Sequence, residues 1–166
     1  MKTFVALACV LSIAPAASWA QAPGQVVKAK VTVAQGVARP DSIVKAAVEV
    51  EVLPGYHIND HHPTLEYLIP TEVKLEPIKE VTGSNIIYPK GELKKFAFSD
   101  APLSVYEGTV HVDLALQLDH KTQPGDYEIK GKLGYQACND HACLPPTSVP
   151  LAFSFKVERG GATTKR

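Results

Sequence analysis

The fold is decided by a ten-residue stretch, Thr109-Val110-His111-Val112-Asp113-Leu114-Ala115-Leu116-Gln117-Leu118. Apolar residues occupy every second position from Val110 to Leu118, and most of the residues between them are polar. Because successive side chains of a β-strand point to opposite faces, this alternation predicts a strand with one buried face. No convincing helical period occurs elsewhere in the chain, so the stretch predicts an all-β protein.

The same alternation recurs on both sides of this stretch. It predicts further strands at 27–33, 41–53, 69–75, 103–106, 127–133 and 149–157. Turn residues separate several of them, as at Pro54-Gly55 and Pro124-Gly125-Asp126. Residues 77–91 carry only a weak pattern, and residues 94–98 are predicted as a short exposed ribbon. Seven or eight strands of this kind predict one domain, an all-β sandwich of immunoglobulin-like type.

The N-terminus has the pattern of a secretory signal peptide. Lys2 is followed by an apolar run over 4–13, and Ser18-Trp19-Ala20 places small residues where a signal peptidase requires them. We therefore expect residues 1–20 to be removed after Ala20 and the mature protein to be exported to the periplasm. The apolar run is far shorter than the roughly 20 residues that span a bilayer, so it is not predicted to anchor the chain.

The mature part of the chain is close to neutral. Removing Lys2 with the signal peptide leaves 16 basic and 17 acidic residues. This balance argues against nucleic acid or an anionic membrane surface as a partner. We expect residues 21–158 to form the domain, as a monomer, and the polar residues 159–166 to form a disordered tail.

Two of the three cysteines remain after that cleavage, Cys138 and Cys143, separated by four residues. Because exported proteins fold in an oxidising compartment, a disulfide between them is the expected resting state. In the chain-entropy model, a loop of about six residues gains roughly 2 kcal/mol from such a bridge, against about 4.7 kcal/mol for 100 residues. The bridge would therefore stabilise the fold only weakly, although a purely structural role stays open.

A metal site is the second reading of these cysteines. Cys138, His141 and Cys143 are closely spaced, and thiolates with imidazole suit copper(I) or zinc. A fourth ligand would have to come from a distant loop that holds three histidines: His57, His61 and His62. The usual Cys-x-x-Cys spacing is absent, and oxidised cysteines do not ligate metal. We therefore predict no metal and no cofactor.

A redox pair is the third reading. Disulfide exchange requires a reachable sulfur, a bridge that can be reduced, and a rigid loop that presents it. Pro145-Pro146 directly follows Cys143 and would stiffen the loop. His141 would favour a thiolate when protonated and Asp140 would oppose one, so the sequence predicts no thiol pKa.

The residues that flank the cysteines resemble a known family. Tyr135-Gln136-Ala137-Cys138 and Cys143-Leu144-Pro145-Pro146-Thr147 are similar to the active-site loop of the N-terminal periplasmic domain of DsbD, the thiol:disulfide interchange protein. Earlier segments resemble the same family in the same order, namely Pro54-Gly55-Tyr56-His57-Ile58-Asn59, Ile69-Pro70-Thr71-Glu72-Val73 and Tyr106-Glu107-Gly108. The resemblance therefore covers most of the mature chain, and the cysteine loop is its most specific part.

This resemblance implies an immunoglobulin-like electron carrier in which Cys138 and Cys143 are the redox pair. Such a domain accepts electrons from a membrane-embedded partner and passes them to thioredoxin-like periplasmic proteins, among them disulfide isomerases and cytochrome c maturation factors. Family members also shield the pair with an aromatic cap loop. The implied cap or lining residues are Phe96, Phe98, Tyr56 and Tyr135.

The sequence departs from the family pattern at two points. The multidomain members continue into a membrane domain and a thioredoxin-like domain, so we expect a separate membrane electron donor of the DsbD type here. The spacer 139–142 also differs by one residue from that of the best-known member. Thiol–disulfide exchange, with protein-disulfide reductase activity, is the leading hypothesis. The alternative is a non-catalytic binding module with a structural loop disulfide and a copper or zinc site.

Overall fold

The computed structural model of the protein describes residues 25–159. The expected signal peptide, residues 1–20, lies outside this range, as does the expected tail except for its first residue. Within the described part, no helix is long and apolar enough to cross a membrane.

The described chain is built from β-strands, as the alternation predicted. In chain order they are β1 (Val27–Val33), β2 (Val37–Ala38), β3 (Ile43–Val52), β4 (His57–Asn59), β5 (Glu72–Leu75), β6 (Val81–Ile87), β7 (Glu92–Lys94), β8 (Leu103–Tyr106), β9 (Thr109–Leu118), β10 (Gly125–Tyr135), β11 (Ala137–Cys138) and β12 (Thr147–Val157). They form three four-stranded sheets, with the orders β1-β3-β9-β6, β2-β12-β10-β5 and β11-β4-β8-β7.

The first two sheets enclose the main hydrophobic core. Strand β9 buries Val112, Leu114, Leu116 and Leu118, while its intervening residues Thr109, His111 and Asp113 stay exposed. Strand β12 of the second sheet contributes every second residue from Val149 to Val157 to the same core. The pairs in these two sheets are antiparallel except for the short parallel pair of β12 and β2. Their stacking confirms the predicted all-β, immunoglobulin-like sandwich.

Five strands were not indicated by the sequence pattern, namely the short β2, β4, β7 and β11 and the longer β6. Strand β6 lies at the edge of the first sheet, where it pairs with β9 and shifts register between Val81 and Gly83. Its residues are exposed or only partly buried. Because neither face of this edge strand is fully covered, its sequence lacks the apolar alternation that reveals a half-buried strand.

The third sheet is small and positions the cysteine loop. A single residue, Gln136, separates β10 of the second sheet from β11 of the third. Strand β11 then pairs with β4, and β4 pairs with β8. The chain therefore carries Cys138 onto this third sheet, the cysteine platform, although Ile58, Tyr106 and Ala137 of the same sheet also pack into the main core.

A buried carboxylate holds the loops of this platform together. Asp60 accepts hydrogen bonds from the Tyr106 and Ser104 hydroxyls, each at 2.7 Å, and from the Gly91 and His62 backbone N–H groups at 3.1 and 3.2 Å. Gly91 fits because it lacks a side chain, since a Cβ there would lie 2.6 Å from both Asp60 Oδ2 and Ser104 Oγ. The four donors join β8 to the loops that follow β4 and precede β7.

Candidate functional site

Cys138 and Cys143 form a disulfide, as the sequence predicted, with an S–S distance of 2.02 Å and a Cα–Cα distance of 3.9 Å. The two residues also form an antiparallel β-bridge. Their environments differ, because Cys138 is 2% exposed whereas Cys143 belongs to the exposed part of the loop. A protein that approaches the loop therefore meets Cys143 first.

The turn between the cysteines is organised by Asn139. Its side-chain Oδ1 accepts hydrogen bonds from the backbone N–H groups of His141 and Ala142, both at 2.9 Å, and its own N–H donates to the Ala142 carbonyl oxygen at 3.0 Å. Asparagine favours such turns because its short side chain replaces a backbone acceptor. The sequence analysis did not single out Asn139, although its position directly after Cys138 is a recognisable turn signal.

The segment after the turn is held on both sides. The Leu144 N–H donates to the Ala137 carbonyl oxygen at 2.8 Å, and the Gln136 side-chain amide donates to the Leu144 carbonyl oxygen at 3.2 Å. Pro145-Pro146 then follows without any backbone N–H to donate. The exposed cysteine thus lies on a short ring that is tied back to β11 and stiffened by two prolines.

The residue directly opposite Cys138 is His57. The two are paired across β11 and β4, and directly opposed residues of an antiparallel pair point to the same face with Cβ atoms about 4.5–5.5 Å apart. His57 is 3% exposed. Among the side-chain atoms of residues 25–159, its Nε2 is one of the two buried nitrogen or oxygen atoms without a hydrogen-bond partner. The sequence pattern indicates His57 only as a distant metal ligand, whereas the strand register places it opposite Cys138.

The charges around His57 act in opposite directions. Burial lowers the pKa of His57, because it disfavours the charged imidazolium. The negative charges of Glu107 and Asp140 raise this pKa, and the positive charge of Lys94 lowers it. The Lys94 ammonium is itself paired with the Glu107 carboxylate. The net effect is a ring that is neutral at neutral pH, with acidic groups nearby that would stabilise its protonated form.

Phe96 covers the other side of this histidine. The Phe96 and His57 rings are stacked with centroids 4.2 Å apart, and Phe98 stacks on Phe96 at 5.2 Å. Phe96 is 9% exposed and packs with Leu103 and Val105, whereas Phe98 is 48% exposed. The expected exposed ribbon at 94–98 is therefore wrong for Phe96, because that side chain turns into a second, smaller core. The cap role of the two phenylalanines stays a prediction.

The two tyrosines named with the cap occupy different places. Tyr135 is 2% exposed, and burial raises the pKa of its hydroxyl. It lines a cavity of about 570 Å³ beside the cysteine loop, together with Leu144 and Pro146. Tyr56 is half-buried and packs against the main core. Their role in lining the redox pair stays a prediction.

The histidines considered as metal ligands are dispersed. His61 Nδ1 lies 3.0 Å from the Thr71 carbonyl oxygen, and its ring stacks on Tyr88 with centroids 3.6 Å apart. His62 contacts the edge of the His61 ring. Across residues 25–159, no three His, Cys, Asp or Glu side chains are arranged to hold one metal ion.

Comparison with solved structures finds the same fold in other proteins. The N-terminal periplasmic domain of ScsB from Proteus mirabilis is 18% identical, with a TM-score of 0.59, over 81% of this chain and 49% of that one. This chain thus spans about half the length of that structure.

Two structures from Neisseria meningitidis also match. The reduced DsbD N-terminal domain is 18% identical over 82% of this chain and 94% of its own, with a TM-score of 0.44. The complex between the DsbD and PilB N-terminal domains matches at 20% identity over 84% of this chain and 88% of that one, with a TM-score of 0.47. A search of the curated proteins finds no match to this chain.

Family membership rests on a match over most of the sequence. The family model described as the N-terminal part of the thiol:disulfide interchange protein DsbD matches residues 22–153. This range includes the whole cysteine loop, the small third sheet and nearly all of the sandwich. The chain belongs to the family of N-terminal domains of the thiol:disulfide interchange protein DsbD.

Proposed function

We propose that this domain is a periplasmic electron carrier that exchanges disulfides with thioredoxin-like proteins through Cys138 and Cys143. The observation that carries the proposal is the pairing of one exposed and one buried cysteine in a local disulfide. Intermolecular exchange needs a sulfur that a second protein reaches, and release of that protein needs a second sulfur close behind it. The loop supplies both.

The reduced domain delivers two electrons to a client in two exchange steps. The Cys143 thiolate attacks one sulfur of the client disulfide, which forms a mixed disulfide and releases the other client sulfur as a thiolate that takes up a proton. The Cys138 thiolate then attacks Cys143 Sγ, which restores the Cys138–Cys143 bond and releases the second client thiol. The client disulfide is reduced to two thiols, and the domain dithiol is oxidised.

The domain is re-reduced by the reverse chemistry. A membrane-embedded dithiol donor of the DsbD type supplies the two electrons and two protons, and leaves with a disulfide of its own. We place residues 21–158 in the periplasm after cleavage behind Ala20, where disulfide isomerases and cytochrome c maturation factors are the clients that family membership supports. No step requires a cofactor.

The surface around Cys143 suits a protein partner. Pro145 and Pro146 are exposed next to the sulfur, and Leu144 is half-buried beside them. Proline and leucine present a stiff apolar rim, so a docking protein loses little conformational entropy of the loop on binding. This supports a protein, rather than a small molecule, as the substrate.

Cysteine replacements test the proposal most directly. The reduced protein is mixed with an oxidised thioredoxin-like client, and free thiols are counted by alkylation and gel shift. The wild type should reduce the client, Cys143→Ser should lose the activity, and Cys138→Ser should accumulate a mixed disulfide through Cys143. His141→Gln, in the same loop, is the matched control and should keep the activity.

Measurement of the reduction potential separates the proposal from its alternative. A structural disulfide lies below about −300 mV, whereas a carrier lies nearer to the exchange range of about −120 to −230 mV. A value below about −300 mV, together with single-cysteine variants that behave like the wild type, would identify a binding module with a structural bridge and overturn the proposal.

A further inference from the structure

Three residues lie in a row across the cysteine platform. Cys143 is bridged to Cys138, and Cys138 is paired with His57 on the neighbouring strand. The buried cysteine is thus flanked by its disulfide partner on one side and by an imidazole on the other. The exposed His141 of the same loop has no such position, since it lies in the turn between the two cysteines.

The imidazole has a free site for a proton. His57 Nε2 is buried and lacks a hydrogen-bond partner in the described chain, although buried polar atoms are paired in the great majority of cases. An unpaired buried nitrogen is costly for the fold, and on the residue opposite a cysteine it is suited to proton transfer once that cysteine is reduced. The Phe96 ring, stacked at 4.2 Å, covers the imidazole and keeps bulk water from taking that role.

We propose that His57 is the proton acceptor for Cys138 in the step that resolves the mixed disulfide. This inference deepens the proposed function and rests on it. The thiol proton of Cys138 passes to His57 Nε2, and the resulting thiolate attacks Cys143 Sγ. The Cys138–Cys143 bond forms, the bond between Cys143 and the client breaks, and the leaving client thiolate takes up the proton from the imidazolium. In the reverse direction the imidazolium protonates Cys138 as it leaves.

The surrounding charges support both halves of this cycle. Burial lowers the pKa of His57, which keeps the ring neutral and ready to accept a proton. Once the proton has moved, the carboxylates of Glu107 and Asp140 stabilise the imidazolium. Lys94 opposes it, but its ammonium is already paired with Glu107. Glu107 directly follows β8, Asp140 lies in the cysteine loop, and Lys94 is the last residue of β7.

The size of the effect follows from thiol ionisation. A free cysteine has a pKa of about 8.5 and is only a few per cent thiolate at pH 7. For a thiol with this pKa, complete removal of the proton accelerates the attack by about 30-fold, and a buried thiol, whose pKa is higher, gains more. The acceleration fades as the pH rises past the pKa of the thiol, because the thiol then ionises without help.

The experiment follows the two sulfurs separately in the reduced mature protein. Ellman's disulfide releases one coloured thiolate when Cys143 attacks it and a second when Cys138 closes the ring, and stopped-flow absorbance resolves the two phases. His57→Phe keeps an aromatic ring against Phe96 but removes both nitrogens. We expect an unchanged first phase and a second phase that is slower by about tenfold at pH 7. The difference should shrink as the pH rises past the pKa of the thiol that closes the ring.

Matched controls make the result decisive. His141→Phe removes the exposed histidine of the loop and should leave both phases unchanged. A folded His57→Phe variant with the wild-type second phase and pH profile would overturn the inference. If that variant does not fold, the His57 ring is titrated by NMR in the intact protein. Its pKa should differ between the disulfide and dithiol forms, and identical curves would overturn the inference.

The outcome is separate from that of the proposed function. Ellman's reagent replaces the protein client, so slower ring closure in His57→Phe supports the role of His57 even if no thioredoxin-like protein is reduced. Normal client reduction with an unchanged second phase would retain the carrier function and remove His57 from it.

Discussion

The large sandwich and the small cysteine platform are stabilised by different interactions. The sandwich buries mainly Val, Leu, Ile and Phe side chains between its two sheets. Among the described residues, five polar side chains are buried, and four of them lie within residues 57–71, beside or behind the platform: His57, Asn59, Asp60 and Thr71. Buried polar groups are costly unless paired. Their concentration in one place distinguishes the platform from the largely apolar sandwich.

Three of these four polar groups are satisfied and one is not. Thr71 donates to the Asn59 carbonyl oxygen at 2.5 Å, the Asn59 amide donates to the Ile69 carbonyl oxygen at 2.9 Å, and Asp60 has four donors. His57 Nε2 alone in this group is unpaired. The contrast teaches that the platform satisfies its buried polar groups except at one residue, and that this residue is the one paired with Cys138.

The largest expected effect on stability comes from the sandwich. Leu114→Ala empties a position that is 2% exposed in the centre of β9, and such truncations cost about 2–5 kcal/mol. Denaturant unfolding should show this loss, while the reduction potential of Cys138–Cys143 in the folded variant should stay unchanged. A shift in potential would show that core and platform are not independent.

A smaller effect on stability is expected at the Asp60 carboxylate, which accepts four hydrogen bonds. In Asp60→Asn, the new side-chain NH₂ group lies against hydrogen-bond donors that the carboxylate oxygen accepted from. The variant therefore loses hydrogen bonds to a charged group, and its free energy of unfolding should fall by about 1.5–3 kcal/mol. Urea unfolding at pH 7 measures this loss. Asp113→Asn, on the exposed face of β9, is the matched control and should change stability by less than about 0.5 kcal/mol.

The hydrogen bonds to Asp60 also predict that the stability of the protein depends on pH. Burial alone raises the pKa of Asp60, but hydrogen bonds from Tyr106, Ser104, His62 and Gly91 outweigh it and lower the pKa below its ordinary value of 3.8. The stabilisation is therefore complete above pH 3.8 and is lost as the pH falls through the lower folded value. Asp60→Asn should flatten the acid limb of the stability curve, and an unchanged limb would contradict this assignment.

The smallest effect is expected at the edge of the platform. Phe98 is 48% exposed and stacks on Phe96, so Phe98→Ala should cost about 0.5–1.5 kcal/mol, the value of an aromatic pair. If Phe98 belongs to the cap, reduction of the disulfide by a small thiol should accelerate in the same variant. Tyr67→Ala, another exposed aromatic residue, serves as the control, and equal rates in both variants would remove Phe98 from the cap.

The parts of the molecule that were predictable are those with local signals. Alternation located β3, β9 and β12, because one face of each packs on the core. It missed β6, whose residues are not fully buried on either face. The Cys138–Cys143 disulfide was also predictable, since the expected cleavage after Ala20 leaves these two as the remaining cysteines. The turn residue Asn139 had a local signal that was not used.

Other parts had no local signal. The burial of Phe96 depends on a second small core that includes Leu65 and Leu103, which are distant from it in sequence or separated by a turn. Asp60 accepts hydrogen bonds from Gly91 and Tyr106. Nothing in the sequence around any one of these three residues indicates the other two. Such contacts follow from how strands are ordered in the sheets.

The sequence by itself determined the strands of the sandwich, the cysteine pair and its resemblance to an exchange family. These depend on periodicity, spacing and flanking residues, all of which act over a few positions. Only the tertiary structure decided that Cys138 is buried, that Cys143 is exposed, and that His57 lies opposite Cys138. The physical reason is that strand register is set by the packing of whole sheets, so a neighbour across strands leaves no trace in the local pattern.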